Sequence, residues 1–329
     1  MSEVRFLALP LTFTAMSSGG FGTTHYQNTQ MTIESTNIQN STNPAITYSE
    51  CYAQPFLLFN ESNLDTMRRM PDNFIDLTVT SPPYDDLRTY KGFKLPLEEI
   101  AKELYRVTKQ GGIVVWVVND KTVNYCETLT SFKTAILFVE KAGFNLHDTM
   151  IYKRTCAFPD VVRYYQDFEY MFVFCKGKPK TVNLLRQMKT EGSLKRQQNK
   201  TGVGGERQVD GSLKRIDGTN AFLRKEKARQ DETRVKSNVW ELPRGNQNST
   251  KDKIAFEHPA IFPEQLANDH IISWSNEGDI VYDPFAGSGT TGKMAILNKR
   301  KCIMSEISSE YCEIIKKRLE PIINERTLF

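Results

Sequence analysis

A glycine-rich turn late in the chain constrains the fold most. Ile280-Val281-Tyr282 reads as a buried strand and is followed by Asp283-Pro284-Phe285-Ala286-Gly287-Ser288-Gly289-Thr290-Thr291. A helix through Met294 to Leu297, a strand Lys301 to Met304 ending at Ser305-Glu306, and a helix from Glu310 to Leu319 complete a βαβ unit. Glycines between a strand and a helix N-terminus let a ligand approach the backbone where unpaired N–H groups converge. Gly287-x-Gly289-x-x-Gly292, with Glu306 nearly twenty residues on, fits a dinucleotide fingerprint. Gly287-x-x-x-x-Gly292-Lys293 fits most of a phosphate loop, but Met294 stands where a magnesium-ligating Ser or Thr belongs, which argues against a nucleotide hydrolase. An adenosine-containing cofactor with its ribose on Glu306 is common to these readings.

Upstream, the chain alternates helix and strand. Phe56 to Phe59 is an apolar run, Asp65 to Met70 a short helix, and Pro71-Asp72-Asn73 a turn. Ile75, Leu77 and Val79 form a strand that stops at Ser81-Pro82-Pro83-Tyr84, since consecutive prolines cannot extend a ladder. A helix from Leu97 to Leu104 is expected to end at Gly111-Gly112, before the strand Ile113 to Val118. Phe132 to Ala142 reads as helix, and Met150 to Lys153 and Phe168 to Phe174 as strands. The fold class expected is α/β, a doubly wound sheet with its site at the carboxyl strand ends.

Ser81-Pro82-Pro83-Tyr84 presents a hydroxyl, a carbonyl without an amide partner and an aromatic face on a rigid turn. An exocyclic amine on a base is a poor nucleophile because its lone pair is delocalised into the ring. The Ser81 hydroxyl oxygen and the Pro82 carbonyl could accept its two hydrogens and free the lone pair to attack a methyl sulfonium. Tyr84 would stack on a base turned out of the duplex. An ordinary strand-ending turn is the bland alternative.

Charge is distributed to match. Between Lys176 and Lys251 there are 19 Lys and Arg against 8 Asp and Glu, which leaves the remainder of a chain of net charge +4 acidic. A basic segment in an acidic scaffold suggests a polyanionic partner. Within it Gly192-Ser193-Leu194-Lys195-Arg196 recurs as Gly211-Ser212-Leu213-Lys214-Arg215, read equally as two similar basic turns approaching phosphates or as drift in a low-complexity loop. Residues 1–50 are expected to form a disordered leader, dominated by Ser, Thr, Asn, Gln and Gly from about Ser17 to Ser49. The six cysteines show no Cys-x-x-Cys spacing, so no metal and a reducing compartment are expected. Pro10 interrupts the apolar stretch Val4 to Phe13, and no run reaches the ~18 apolar residues of a membrane span. A cytoplasmic, nucleoid-associated enzyme is the expectation.

Taken together, Thr80-Ser81-Pro82-Pro83-Tyr84 and Asp283 to Thr291 resemble the amino methyltransferases of bacterial restriction-modification systems, specifically the beta class, in which the catalytic tetrapeptide precedes the cofactor loop. The resemblance runs from about Phe56 to the C-terminus. Glu257-His258-Pro259-Ala260-Ile261-Phe262-Pro263 and Asn238-Val239-Trp240-Glu241 match further family segments. It implies an S-adenosylmethionine-dependent fold, circularly permuted, with a catalytic half at 51–180, a target-recognition region at 181–250 and a cofactor half at 251–329. It implies that Ser81, Pro82, Pro83 and Tyr84 are catalytic. Asp283, Pro284, Phe285, Ala286, Gly287, Ser288, Gly289, Thr290 and Thr291 would form the cofactor loop, with Phe262 beside it and Glu306 on the ribose. Many relatives carry an Asp where Asn60-Glu61-Ser62-Asn63 places Ser62, so Glu61 or Ser62 takes the adenine amine. His258 is read as structural. Lys195, Arg196, Lys214 and Arg215 would contact double-stranded DNA.

Serine at the head of the tetrapeptide resembles the cytosine-N4 subgroup, adenine-N6 enzymes mostly carrying Asp there. A carbon-5 cytosine enzyme needs a cysteine nucleophile, usually after proline, and the chain has no Pro-Cys. RNA and protein-glutamine methyltransferases of this fold carry Asn in place of Ser81 and lack the basic insertion. A DNA-binding module with a decayed site is the non-enzyme alternative, against which the intact motifs speak. A homodimer and a cognate restriction endonuclease stay open.

Overall fold

A computed structural model of the chain describes residues 44–83, 95–154, 162–198, 205–208, 210, 212–215, 232–242, 249–259, 261 and 263–326. Residues 1–43 of the expected leader, Tyr84 and Phe262 lie outside these. Regular structure starts inside the expected leader. Ile46 is buried, and Thr47 and Glu50 form a reciprocal capping box that starts α1 (Tyr48–Ala53).

The eight strands of the central sheet are β1 (Phe56–Phe59), β2 (Ile75–Thr80), β3 (Thr108–Val118), β4 (Asn145–Arg154), β5 (Phe168–Cys175), β6 (Val239–Leu242), β7 (Ile280–Asp283) and β8 (Lys301–Ser305). Their spatial order is β1-β8-β7-β2-β3-β5-β4-β6, and only β5 runs antiparallel to its sheet neighbours. The central strands are buried along most of their length because both faces are covered. On one face lie α2 (Asn63–Arg69), α3 (Leu97–Val107) and α4 (Thr130–Leu137), with Leu104, Trp116, Phe138 and Phe174 in their core. On the other lie α5 (Glu264–Trp274), α6 (Thr290–Leu297) and α7 (Ser309–Arg326), packed on Leu77, Val115, Val281 and Met304.

The last two strands of the chain insert between the first and the second. This puts the carboxyl ends of β1, β8, β7 and β2 side by side along one edge.

Several sequence expectations shift. Gly111 and Gly112 do not end a helix: α3 stops at Val107, and the glycines lie within β3. The register jumps from Ile75 opposite Thr108 to Leu77 opposite Ile113, so the glycines form a bulge. Gly111 has φ +81°, and a Cβ on Gly112 would meet the Asp76 carbonyl at 2.9 Å. β4 is longer than Met150 to Lys153, and α5 was not anticipated.

The expected 181–250 recognition region contributes β6 to the main sheet. The rest of its described backbone forms a ladder between Arg186–Met188 and Thr233–Val235, a helix over Glu191–Gln198, and a hairpin of Gly205–Arg207 with Leu213–Arg215. The pentapeptide echo is therefore not two similar turns. Its first copy is helical, with Thr190 receiving the Ser193 amide at its start, whereas in the second an Asp210 carboxylate turn, bound by the Ser212 amide at 2.9 Å, leads into a strand. Flanking residues outweigh five shared letters.

Candidate active site

Each segment at the carboxyl edge is fixed by bonds traceable to its sequence. The Ala286 amide donates to the Ser305 carbonyl (3.0 Å) and the Glu306 amide to the Phe59 carbonyl (3.0 Å), tying β7, β8 and β1 together just past their ends. The Asn60 amide side chain donates to the carbonyls of Glu306 (2.9 Å) and Ile307 (3.1 Å), and that of Asn63 to the Pro284 carbonyl (3.2 Å).

The Gly-rich turn takes the backbone its glycines permit: φ is +53° at Gly287 and +79° at Gly289. A Cβ at Gly287 would come within 3.2 Å of His258 Nε2, and one at Gly292 within 2.4 Å of the Met304 sulfur, so helix and strand approach more closely than any side chain allows. Glu306 is nearly buried, and its Oε2 accepts from the Gly287 amide (2.8 Å) and its Oε1 from the Ser308 amide (2.9 Å). Burial raises its pKa above the ordinary carboxylate value, and those amides oppose the rise. A carboxylate oxygen has lone pairs to spare for ribose hydroxyls beyond these bonds. Phe285, half-buried, sets its ring edge-on to Trp116 at 5.9 Å.

Asp283 is buried and receives the Thr80 hydroxyl at 2.7 Å and the Phe285 amide at 3.1 Å. Burial pushes its carboxyl up to about 6. Thr291 donates to the Val79 carbonyl at 3.1 Å. Both bonds run between the segment 283–291 and β2, the strand that leads into Ser81. Thr78 is opposite Tyr282 in the ladder, so Ser81-Pro82-Pro83 emerges beside Pro284 and Phe285. Ser81 is half-buried, Pro82 buried and Pro83 exposed.

Glu61 and Ser62 reach the same edge with work already assigned. Glu61 is in a buried ion pair with Arg69, whose guanidinium lies over the Phe59 ring, and it accepts from Thr66 at 2.8 Å. Ser62 caps α2 through the Leu64 amide at 3.3 Å. His258 packs on Gly287 and edge-on to Tyr311 at 4.3 Å. Lys293, the lysine of the phosphate-loop pattern, binds Asp252 and Glu264, each at 2.7 Å. The backbone at Lys195 and Arg196 is helical and at Lys214 and Arg215 extended, while their side chains lie outside the described residues. Two features that the sequence did not announce complete the candidate site: the bond from Thr80, known only as part of its motif, to Asp283, and the Arg318 guanidinium beneath the loop. Arg318 is 66 positions from Asp252, a separation at which no spacing rule signals contact.

Comparison with known proteins fits this geometry. The family model described as DNA methylase, N6_N4_Mtase, matches residues 75–317. The chain belongs to the N6_N4 DNA methylase family. A relative in Bacillus amyloliquefaciens, the orphan methyltransferase M.BamHII, is 56% identical over 253 residues, which is 77% of this chain and 91% of that protein. The type II methyltransferase M.BglII from Bacillus subtilis is 25% identical over 78% of this chain and 67% of its own. Among solved structures, the cytosine-N4-specific PvuII DNA methyltransferase superposes with TM-score 0.58 at 18% identity, covering 80% of this chain and 86% of that one, a likeness of fold. The Thermus thermophilus protein TTHA0409, solved with S-adenosyl-L-methionine, gives TM-score 0.50 at 22% identity over 79% and 91%. As a DNA methylase the chain takes S-adenosylmethionine as its cofactor, and a glycine cradle at a helix N-terminus with a buried carboxylate opposite has the shape and chemistry to take it. Among the described residues no helix is long and apolar enough to cross a membrane.

Proposed function

We propose that this DNA methylase transfers a methyl group to the exocyclic N4 amine of cytosine in duplex DNA at a specific site. The observation that carries the reading is the position of Ser81-Pro82-Pro83 at the end of the strand beside the glycine-rich turn, with Thr80 bonded to Asp283 across the two. The cofactor supplies an electrophilic methyl group. The Ser81 hydroxyl oxygen and the Pro82 carbonyl accept the hydrogens of the amine, holding its lone pair toward that methyl, and Tyr84 stacks on the flipped base. Asp283 to Thr291 form the cofactor cradle, with Phe262 beside it, Glu306 on the ribose, and Glu61 or Ser62 near the adenine amine. Lys195, Arg196, Lys214 and Arg215 contact phosphates. The order of the halves, catalytic turn before cofactor loop, is read as a circular permutation.

Serine at position 81 supports cytosine N4. Adenine N6 is the second reading, favoured by a 45% likeness over 87 residues to the Escherichia coli K12 protein named DNA adenine methyltransferase YhdJ. Digesting methylated DNA to nucleosides decides between them: N4-methylcytosine is expected, and N6-methyladenine would replace the first reading with the second.

Leu129, Phe132, Ile136 and Val139 stand exposed in one stripe along α4 and its continuation, which supports a homodimer. A cognate restriction endonuclease has less support, since the 56% identical relative is itself named an orphan.

A further inference from the structure

Arg318 has no exposed side-chain surface and lies one residue beyond the family match, which ends at 317. Its Nε donates to Asp252 at 2.7 Å. Its Nη2 donates to Glu264 at 2.6 Å and Thr250 at 3.2 Å. Its Nη1 faces the cofactor loop and donates to the Ser288 carbonyl (2.9 Å), the Thr290 hydroxyl (3.0 Å) and the Ser288 hydroxyl (3.2 Å). Lys293 shares both carboxylates, so two cations and two anions neutralise one another around a fully buried guanidinium, with the carboxylates themselves half-buried.

An ionic network centred on a buried guanidinium is weak as a source of stability, because desolvation consumes much of the attraction and apolar replacements often fold as well. Geometry fixed by the network is a better account of its presence. Ser288 lies between two glycines of positive φ, whose freedom would let the intervening peptide planes rotate. The Ser288–Gly289 peptide is bound at both ends: Arg318 holds its carbonyl, and its N–H donates to the Ala286 carbonyl at 2.7 Å. The other edge of the guanidinium holds Thr250, Asp252 and Glu264, the segment that brings His258 against Gly287.

We propose that Arg318 is the positioning residue of the cofactor site, locking the Ser288–Gly289 peptide and clamping the 249–264 segment so that the cradle is formed before S-adenosylmethionine arrives. The proposal rests on the reading that this loop binds the cofactor. Losing the clamp makes binding order the loop, which weakens affinity. Once the cofactor is bound the turn is in place, so the loss falls on the cofactor's Kd and KM more than on kcat.

The experiment measures S-adenosylmethionine binding by calorimetry and methyl transfer to duplex DNA, on the full chain, with thermal melting beside them. Arg318→Met is expected to raise Kd and the cofactor's KM about tenfold or more, with a smaller change in kcat at saturation. Arg318→Lys should recover part of the affinity, since an ammonium can meet the carboxylates but cannot also span to Ser288. Thr290→Val removes one acceptor while leaving every charge paired, so it should fold and still bind measurably more weakly. If Arg318→Met does not fold, the lysine and valine variants decide. Parental affinity in folded Arg318→Lys and Thr290→Val, with only melting lowered, would overturn the proposal. Gly287→Asp separates the underlying reading: parental binding in that variant would mean that the loop is not the cofactor site.

Discussion

The Thr80 hydroxyl donates to the Asp283 carboxylate at 2.7 Å, joining the residue before Ser81 to the last residue of β7, where the glycine-rich turn begins, across 203 positions of sequence. Parallel pairing of β2 with β7 makes this contact possible, and burial gives it consequence. With both partners out of water, the bond fixes the relative height of the two turns.

The same burial makes the joint sensitive to pH. Asp283, pushed up to about 6 in the folded chain, ionises near 3.9 when unfolded. A folded value above the unfolded one means that the native state holds the proton more tightly. Ionisation therefore costs stability above pH 6, and the cost is relieved as pH falls from about 6 to about 4. Asp283→Asn keeps an acceptor for Thr80 without the charge. The difference in melting temperature, parent minus variant, is expected to rise as pH is lowered from 7.5 to 5. A difference independent of pH would show that Asp283 does not titrate in that range.

Cofactor binding should be lost in Gly287→Asp, because φ of +53° and the His258 ring at 3.2 Å from a Cβ leave no room for a side chain. Phe285→Ala should weaken binding less, by removing an apolar wall and its contact with Trp116. Calorimetry with S-adenosylmethionine checks both, and unchanged affinity in the pair would move the pocket elsewhere.

Much of the fold was legible because buried parallel strands and a glycine turn leave strong local signals. Ile75 to Val79, Ile113 to Val118 and Ile280 to Tyr282 could be read directly, as could the turn after each. What escaped depends on partners distant in sequence. Gly111-Gly112 looks like a helix stop until Asp76 and Thr108 show that it is a bulge. The second pentapeptide copy looks like the first until Asp210 bends the chain ahead of it. The candidate site was half legible: both motifs stand out in the sequence, while the partners of their residues, Asp283 for Thr80, Asp252 for Lys293, and Arg318 for the Ser288 carbonyl, appear only once the chain is folded.

DNA affinity should reside in the basic region. Charge reversal at Lys195, Arg196, Lys214 and Arg215 is expected to weaken duplex binding and flatten its salt dependence while sparing cofactor affinity. Binding titrations across a salt series test this, and a parental slope would remove those four residues from the interface.

Self-association should depend on the α4 stripe. Ile136→Glu, exposed in the protomer, is expected to fold normally and to sediment as a monomer under conditions where the parent is a dimer. Identical sedimentation of the two would assign the stripe no role in assembly.

The proposed chemistry turns on Ser81 as an acceptor that organises the target amine. Ser81→Ala should fold, bind S-adenosylmethionine with parental affinity, and transfer a tritiated methyl group to duplex DNA under single-turnover conditions roughly a hundredfold more slowly. That loss, on the order of 3 kcal/mol, matches removal of one contact to a developing charge. A folded, cofactor-binding Ser81→Ala that transfers methyl groups at the parental rate would contradict it.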